Sequence, residues 1–388
     1  MQQVPLNPTS ARPLTGHRDS ASHQATAPRA ISWALGPVLV FVTLSSPGSA
    51  QASAVVSPAD RGALEGSTST NYPLGRHNSR FQQLFDDLGA SRILTSHAYR
   101  RDALSTRGSI ASFRTSLEVR LSIAPLAAEK ASKTFANNAG TTPTTVLPKT
   151  WVSFPKTTKP TTVPAPFKFR IPYKTPYVWK GAGTLCLDVV IDSNELSTGT
   201  GKTFSPNIDA QELFASGRNL QPGYRFGSGC TAPGQSKAAT ATFEIRHLGV
   251  RMDLSIEAKN GLPNTSATPT RSVLLLSPDA TKYPWPHGTS CHVYGSVTVV
   301  LALGGNNTSI GGWKGVIPVG ISPTAGFEMF GQILSFGAGT GPVVLSDASR
   351  LIAPPKGQGI VSSRIASASD RTAATGTISF SVPITEFR

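Results

Sequence analysis

Every second residue is apolar in several segments of the chain, which is the pattern of half-buried β-strands. Residues 117–123 read Leu-Glu-Val-Arg-Leu-Ser-Ile, and residues 167–171 read Phe-Lys-Phe-Arg-Ile. Such alternation predicts strands with one face on the core and one face in solvent. Residues 185–191 are almost continuously apolar, as expected of a central strand. The apolar positions within residues 81–88 instead have helical spacing, which predicts one short helix or helical turn there.

Turn signals divide the apolar pattern into two groups of short strands. Between residues 241 and 345, seven apolar segments are separated by turn residues such as Asn260-Gly261. Seven short strands with regular turns are typical of a β-sandwich. We therefore predict an all-β fold of two β-sandwich domains, jelly-roll-like and Ig-like, with few short helices. The first domain is placed at residues 64–224 and the second at residues 227–354.

The composition supports this division into strands and turns. The chain of 388 residues contains 36 Gly and 31 Pro, which favour turns and exclude long helices. Residues 141–166 are rich in Thr, Pro and Lys, and we expect them to form a long connection at a sheet edge. Residues 355–388 are expected to be a loose C-terminal segment with a possible final strand.

The chain is strongly basic. Its 36 Lys and Arg residues outnumber 21 Asp and Glu residues, for a formal net charge of +15 at pH 7. A basic surface can contact nucleic acid, anionic cell-surface polymers or acidic glycans. Because the basic residues are spread along the chain without a dense run or a recognition helix, nucleic acid is a disfavoured partner. A basic exported protein is the simplest interpretation, and an extracellular polysaccharide or cell-surface polymer is the partner class that we retain.

The start of the chain has the three parts of a signal peptide. Residues 31–44 form an uncharged apolar run, Arg29 precedes it, and the small-residue pattern Ala50-Gln51-Ala52 follows. The run is shorter than the roughly 20 residues that span a bilayer as a helix. We therefore predict a signal peptide with a long n-region at residues 1–52 and an exported mature chain without a membrane span. Its location would be extracellular, periplasmic or at the cell surface; an uncleaved anchor is the alternative.

Three cysteines in an exported chain predict one disulfide and one remaining thiol. Cys230 lies in a turn-like Gly-Ser-Gly-Cys segment, and Cys291 lies just before an apolar strand. Cys186 lies inside the apolar strand at residues 185–191, where a buried thiol behaves as a small hydrophobic group. We therefore predict that Cys230 pairs with Cys291 and that Cys186 is free.

One aromatic loop is the candidate binding site. It contains Tyr283, Trp285 and His287 in a Pro-rich segment. An exposed aromatic face can stack against the apolar face of a sugar ring. The alternative is that the loop anchors itself by packing its Trp ring against the core.

Other chemistry has little support in the sequence. No Gly-x-Ser-x-Gly segment is present for a serine nucleophile, and no pair of carboxylates stands out as a glycosidase pair. No His pair has the spacing of metal ligands, and neither Cys230 nor Cys291 has a Cys-x-x-Cys partner. We expect no metal, no cofactor and no catalytic residues, and we consider an enzyme the less favoured class.

Several short motifs follow one another in a fixed order in the first half of the chain. They are Leu-Glu-Gly-Ser-Thr-Ser-Thr-Asn-Tyr-Pro-Leu-Gly-Arg at 64–76, Arg-Phe-Gln-Gln-Leu-Phe-Asp at 80–86, Tyr-Arg-Arg-Asp at 99–102, Phe-Ala-Asn-Asn-Ala-Gly at 135–140, Tyr-Lys-Thr-Pro-Tyr at 173–177 and Leu-Cys-Leu-Asp-Val-Val-Ile at 185–191. Their order and spacing resemble those of a family of uncharacterised exported two-domain β-sandwich proteins of large-genome environmental bacteria. The resemblance extends over residues 64–195 and implies a secreted jelly-roll-like module without established catalytic residues. This chain departs from the family by its basic charge and by its Lys- and Thr-rich insert.

These observations predict a secreted, non-catalytic β-sandwich protein that binds a surface or a glycan through its loops and a basic face. One alternative is a secreted glycosidase-like hydrolase whose carboxylate pair is not evident in the sequence. The other is a structural component of an envelope or particle.

Overall fold

A computed structural model of the protein describes residues 54–197, 204–249, 251–265, 269–285, 291–305, 311–320, 324–337, 339 and 341–388. The predicted signal peptide and His287 lie outside these residues. Nearly all regular structure within them is β-strand, so the predicted all-β sandwich-type fold with few short helices is confirmed. No helix in this part of the chain is long and apolar enough to cross a membrane.

The regular elements are short and follow one another closely along the chain. The helices are α1 (Phe135–Asn138) and two 3₁₀ turns (Ala59–Arg61 and Ala128–Lys130). The strands are β1 (Val55–Ser57), β2 (Thr68–Thr70), β3 (Ser79–Phe85), β4 (Arg92–Tyr99), β5 (Phe113–Ala124), β6 (Thr144–Phe154), β7 (Phe169–Trp179), β8 (Thr184–Asn194), β9 (Ile208–Glu212), β10 (Asn219–Pro222), β11 (Tyr224–Phe226), β12 (Thr240–His247), β13 (Met252–Lys259), β14 (Thr270–Ser277), β15 (Lys282–Pro284), β16 (His292–Tyr294), β17 (Val299–Gly305), β18 (Lys314–Pro318), β19 (Glu328–Gly337), β20 (Val343–Ile352), β21 (Ser362–Ser367), β22 (Thr377–Ser379), β23 (Ser381–Pro383) and β24 (Thr385–Phe387).

The first group of strands forms three antiparallel sheets around one apolar core. A six-stranded sheet has the order β22–β21–β3–β8–β5–β6, a four-stranded sheet the order β1–β24–β4–β7, and a three-stranded sheet the order β2–β9–β23. Side chains of all three sheets meet in the core, among them Phe81, Phe169 and Ile208, each fully buried. Residues 141–166 are not wholly a connection, because β6 forms an edge of the six-stranded sheet.

The helix predicted at residues 81–88 is instead the strand β3. This strand lies between β21 and β8 in the six-stranded sheet. Phe81 and Phe85 project into the main core, whereas Leu84 projects into a second apolar cluster on the opposite face of the sheet. Because both faces are buried, the apolar residues show no period-2 alternation, and their spacing coincides with that of a helix.

The C-terminal segment is also more ordered than the sequence suggests. Instead of a loose segment, residues 355–388 contain four strands: β21, β23 and β24 pair with the earlier strands β3, β9 and β4, and β22 pairs with β21. β21 pairs with β3, and β24 lies between β1 and β4. The side chain of Phe387 is fully buried in the main core. The first group of strands is therefore closed by the end of the chain.

The second group of strands begins before Gly227, the predicted boundary, because β10 and β11 already pair with β12 and β20. One sheet has the order β10–β12–β13–β18 and the other the order β11–β20–β19–β14–β17. The two sheets share an apolar core that includes Phe243, Ile256 and Leu351. The predicted disulfide Cys230–Cys291 is confirmed, and it lies in a separate buried cluster beside this core.

A buried polar network connects the N-terminal segment to both groups of strands. Arg61 Nη1 donates to Gln221 Oε1 at 2.6 Å and to the carbonyl oxygen of Glu65 at 3.0 Å, and Nη2 donates to Asn219 Oδ1. Arg61 and Gln221 are fully buried. We use the name junction network for Arg61, Glu65, Arg100, Asp209, Asn219 and Gln221.

Glu65 brings a carboxyl group into the junction network. Its Oε1 accepts the backbone N–H of Ala103 at 2.5 Å. Burial, and then the negative charge of Asp209, raise the pKa of Glu65 from 4.5 to about 9. The folded protein therefore retains a proton that the unfolded chain loses. The resulting contribution to stability is complete below about pH 4.5 and is lost as the pH rises through about 9.

Glu65→Gln should remove this pH dependence, because the amide of Gln does not titrate. We expect the wild-type protein to lose stability relative to the variant as the pH rises, with a slope of at most about 1.4 kcal/mol per pH unit for one proton. Urea denaturation at a series of pH values measures the difference.

Glu257→Gln is the matched control for this series. The hydrogen bond from Lys259 lowers the pKa of Glu257, so its contribution is lost as the pH falls and not as it rises. A difference between the wild type and Glu65→Gln that stays constant with pH would contradict the prediction.

Candidate functional site

An open cleft of about 530 Å³ lies at the β22 edge of the six-stranded sheet. Two large side chains, Tyr72 and Arg364, form part of its wall. The remaining lining residues are small or carry hydroxyl groups, and they come from β21, β22 and the turn between them. They are Ala366, Ser367, Ala368, Thr375, Gly376, Thr377 and Ser379. We call this cleft, together with Arg76 beside it, the arginine cleft.

The alternation of side chains along β21 places Arg364 in the cleft. Ile365 is fully buried in the apolar cluster that contains Phe135, on one face of the sheet. Arg364 and Ala366 therefore belong to the opposite face. Across the β21–β22 pair, Arg364 lies opposite Ser379 and Ala366 lies opposite Thr377. Because the neighbours of Arg364 are small, this face leaves open space.

The ring of Tyr72 lies against two guanidinium groups. The Cζ atom of Arg76 is 5.2 Å from the ring centroid, and that of Arg364 is 5.0 Å from it. Cations within about 6 Å of an aromatic centroid are attracted by the ring. The ring also packs against the main core, where it stacks on Phe81 at 6.2 Å between centroids. Both guanidinium groups therefore contact the same aromatic ring.

The two guanidinium groups have few partners of their own. Arg364 Nη1 donates to Thr70 Oγ1 at 2.7 Å. The Nε atoms of Arg76 and Arg364 are buried without a hydrogen-bond partner in the described part of the chain, and neither group forms an ion pair there. Burial, and then the nearby charge of Arg76, lower the pKa of Arg364. Two like charges therefore lie against one ring without a compensating carboxylate among the described residues.

A neighbouring arginine shows the contrast. Arg80 on β3 donates to both carboxylate oxygens of Asp188, at 3.1 and 2.6 Å. Its guanidinium also lies 4.6 Å from the ring centroid of Phe135. The charge of Arg80 is thus neutralised within the protein. The charges of Arg76 and Arg364 are instead available to an anion, since guanidinium groups bind carboxylate, sulfate and phosphate through paired hydrogen bonds.

The loop that the sequence singles out has a different environment. Trp285 is partly buried and packs against the cluster that contains the disulfide. Tyr283 is 42% exposed, and its hydroxyl lies 3.1 Å from Ser296 Oγ. His287 lies outside the described residues. The packing of Trp285 supports the anchoring interpretation of this loop, and sugar binding at Tyr283, Trp285 and His287 stays a prediction.

Another aromatic side chain is more open to solvent. Trp151 on β6 is 48% exposed and lines a groove of about 480 Å³ that also contains Tyr173 and Lys174 of β7. The guanidinium of Arg114 lies 5.3 Å from the Trp151 ring. Arg114 is neutralised by Glu195, with Nη2 and Oε1 2.6 Å apart. The groove therefore offers an aromatic surface but no free charge from Arg114.

The most deeply buried carboxyl groups serve the fold. Asp209 accepts hydrogen bonds from Arg100 Nε at 2.7 Å and from the backbone N–H of Gly66 at 2.9 Å. Both Asp209 and Glu65 are fully buried. We find no cluster of His, Cys, Asp and Glu that could hold a metal ion within the described residues.

The sequence singled out neither Arg364 nor the pairing of Tyr72 with Arg76 as a binding feature. Tyr72 and Arg76 are four positions apart and fall within the motif at 64–76, but Arg364 follows almost 300 residues later. It lies in the segment that the sequence predicts to be loose. The only available signal was an arginine in an otherwise small-residue segment.

Comparison of the chain with models of known protein families finds no match, and comparison with curated protein sequences finds none either. The resemblance of residues 64–195 to a family of exported proteins therefore stays a prediction. The function has to be inferred from the chemistry of the arginine cleft itself.

Proposed function

We propose that the protein binds an anionic polysaccharide outside the cell, with a carboxylate or sulfate group of the polymer held between Arg76 and Arg364. The observation that carries this proposal is the pair of guanidinium groups on Tyr72, which has no carboxylate partner in the described part of the chain. An anion placed between them would relieve the repulsion of the two like charges and form charge-assisted hydrogen bonds.

The remaining walls of the cleft fit a sugar. Ser367, Thr375, Thr377 and Ser379 supply hydroxyl groups, and Ala366 supplies a small apolar surface. Hydroxyl groups can donate to and accept from the hydroxyls of a saccharide. A cleft of about 530 Å³ is within the size range of ligand sites in proteins. These features favour a hydroxyl-rich anion over a small inorganic one.

The charge of the whole chain supports the same partner class. A formal net charge of +15 attracts polyanions over a distance and raises their rate of encounter. This long-range attraction is not specific and weakens as salt is added. Specific recognition therefore has to come from the arginine cleft, and the two contributions can be separated by mutation.

Binding can be measured by calorimetric titration with three polymers: polygalacturonate (carboxylated), dextran sulfate (sulfated) and neutral dextran. We expect binding of at least one anionic polymer and none of neutral dextran. Arg76→Gln or Arg364→Gln should weaken it about tenfold or more, since a hydrogen bond to a charged group contributes about 1.5–3 kcal/mol. Arg114→Gln is the matched control, because Arg114 is paired with Glu195 and lies on β5, which is separated from β22 by three strands.

Two results would overturn the proposal. One is that neither anionic polymer binds the wild-type protein. The other is that Arg114→Gln weakens binding as much as Arg364→Gln, which would show attraction by net charge alone.

Trp285→Ala tests the aromatic loop in the same titrations. Release of reducing ends from the polymers would favour the hydrolase alternative, and a salt-dependent shift of DNA would favour the particle component.

A further inference from the structure

A small pocket of about 110 Å³ lies where the Thr-, Pro- and Lys-rich segment meets Arg101. Residues 157–162 of that segment supply most of its wall, and Arg101 and Lys168 complete the wall with two further cationic side chains. The pocket shares no lining residue with the arginine cleft. We call it the insert pocket, because the segment that forms it is the insert in which this chain departs from the family that it resembles.

Hydrogen bonds to backbone carbonyl groups fix the guanidinium of Arg101 in the wall of the insert pocket. Nη1 donates to the carbonyl oxygens of Gly108 and Thr158, both at 2.8 Å, and Nη2 donates to that of Arg107 at 2.9 Å. Arg101 is only 3% exposed. Carbonyl oxygens orient the guanidinium but carry no net charge that could neutralise it. The structure therefore holds a buried cation in one position before any ligand is bound.

Two buried polar atoms of residues that line the pocket have no hydrogen-bond partner among the described residues. They are Nε of Arg101 and Oγ1 of Thr157. Thr157 is 4% exposed, and its backbone is fixed by hydrogen bonds in both directions with Ile110, at 2.8 and 3.0 Å. Leaving a buried donor unpaired is unfavourable, and an ion or water is the usual partner where the protein supplies none. The two unpaired groups indicate a ligand that accepts hydrogen bonds.

The charges around the insert pocket are all positive. Lys159 and Lys168 are exposed residues of its wall, and Arg101 is the third cation. None of the three forms an ion pair among the described residues. No carboxylate lines the pocket in that part of the chain, and the neighbouring Asp102 accepts the backbone N–H of Leu104 at 2.8 Å. The pocket therefore attracts anions.

We propose that the insert pocket binds a tetrahedral oxyanion, the phosphate or sulfate group of a small ligand. Guanidinium and ammonium groups form charge-assisted hydrogen bonds with such oxygens, and threonine hydroxyl groups supply further donors. A tetrahedral oxyanion offers four oxygens to these donors, whereas a carboxylate offers two. The volume of about 110 Å³ is below the range of sites for larger organic ligands and suits one charged group. The threonines of the wall are Thr157, Thr158, Thr161 and Thr162.

Calorimetric titration with inorganic phosphate, sulfate and acetate, at constant ionic strength in a chloride buffer, tests the proposal. We expect phosphate or sulfate to bind and acetate to bind much more weakly. The double variant Lys159→Gln/Lys168→Gln should weaken the binding about tenfold or more, since two charge-assisted hydrogen bonds are lost. Lys174→Gln/Lys180→Gln is the matched control, because it removes the same charge from two exposed lysines outside the pocket, and it should bind like the wild type.

Thr157→Val separates ligand binding from a structural role of the hydroxyl group. Because Oγ1 has no partner among the described residues, its loss should leave the stability in chloride unchanged or higher. The same variant should bind the oxyanion several-fold more weakly and gain less stability from it in thermal denaturation. Glucose 6-phosphate distinguishes the source of the group: tighter binding than inorganic phosphate indicates an ester, and weaker binding indicates the free ion.

Three results would overturn this inference. One is that neither phosphate nor sulfate binds the wild-type protein, and another is that acetate binds as tightly as both. The third is that binding is lost in Arg364→Gln but kept in Lys159→Gln/Lys168→Gln, which would place the ion in the arginine cleft. The inference does not depend on polysaccharide binding, because its probes are small ions and its variants leave the arginine cleft intact.

Discussion

Replacing Arg100 with Met should lower the free energy of unfolding by about 3–5 kcal/mol, the cost of removing one partner from a buried ion pair. Arg100 and Asp209 are 1% and 0% exposed, and Arg100 Nε donates to Asp209 Oδ2 at 2.7 Å. Arg100 also donates to the carbonyl oxygen of Leu64. Without the guanidinium, Asp209 would have to be buried as an isolated charge or take up a proton.

Chemical denaturation of three variants separates charge from packing. In the double variant Arg100→Met/Asp209→Asn no charge is left unpaired, and the amide oxygen can still accept the N–H of Gly66. We expect it to be more stable than Arg100→Met alone. Arg114→Met removes an arginine from the pair with Glu195, whose side chains are 55% and 36% exposed, and should cost much less stability than Arg100→Met, because solvent screens an exposed pair. Equal losses for Arg100→Met and Arg114→Met would contradict the assignment of Arg100 and Asp209 to a structural pair.

Removing the disulfide should have a comparable effect. Cys230 and Cys291 are separated by 61 positions. Without the bond, the unfolded chain gains conformational entropy, which for a loop of that length destabilises the folded state by about 4 kcal/mol. The double variant Cys230→Ala/Cys291→Ala should therefore be less stable than the oxidised wild type by about 2–5 kcal/mol. Urea denaturation with and without a reducing agent measures this loss.

The same experiment contains its own control. The reducing agent should destabilise the wild type but leave the double variant unchanged, because Cys186 is a free thiol. Thiol titration of the denatured wild type should detect one thiol before reduction and three after it. Detection of three thiols before reduction would contradict the pairing. Burial raises the pKa of the Cys186 thiol, so in the folded protein this group should react slowly with thiol reagents.

Strands with one exposed face and the continuously apolar strand β8 could be predicted from the sequence, whereas β3, which buries Gln82 and Gln83 among its apolar residues, could not. Residues 117–123 alternate in the sequence and lie within β5. Residues 81–85 lie in β3, and the sequence places them in a helix, because a strand buried on both faces has no alternation to detect. The sequence predicts a connection at residues 141–166 because Pro and Lys are poor strand formers, yet β6 forms there as an edge strand, where Pro148 is tolerated.

The candidate site was less predictable than the fold. An aromatic loop can be recognised locally, and the sequence therefore pointed to Trp285. The arginine cleft depends on contacts between residues far apart in the chain: the hydrogen bond from Arg364 to Thr70 joins positions 294 residues apart. An arginine in a Ser-rich segment has no local property that distinguishes a binding residue from a solvated one.

The sequence by itself determined the all-β class and the pairing of Cys230 with Cys291. Both follow from local features: period-2 alternation, turn residues, and the position of each cysteine relative to the apolar strands. Only the tertiary structure decided that the C-terminal strands complete the first group of sheets, that Arg76 and Arg364 meet on Tyr72, and that the insert forms one pocket with Arg101. The physical reason is that strand pairing joins segments regardless of their separation in the chain, so burial and charge compensation are set by neighbours that no local pattern reveals.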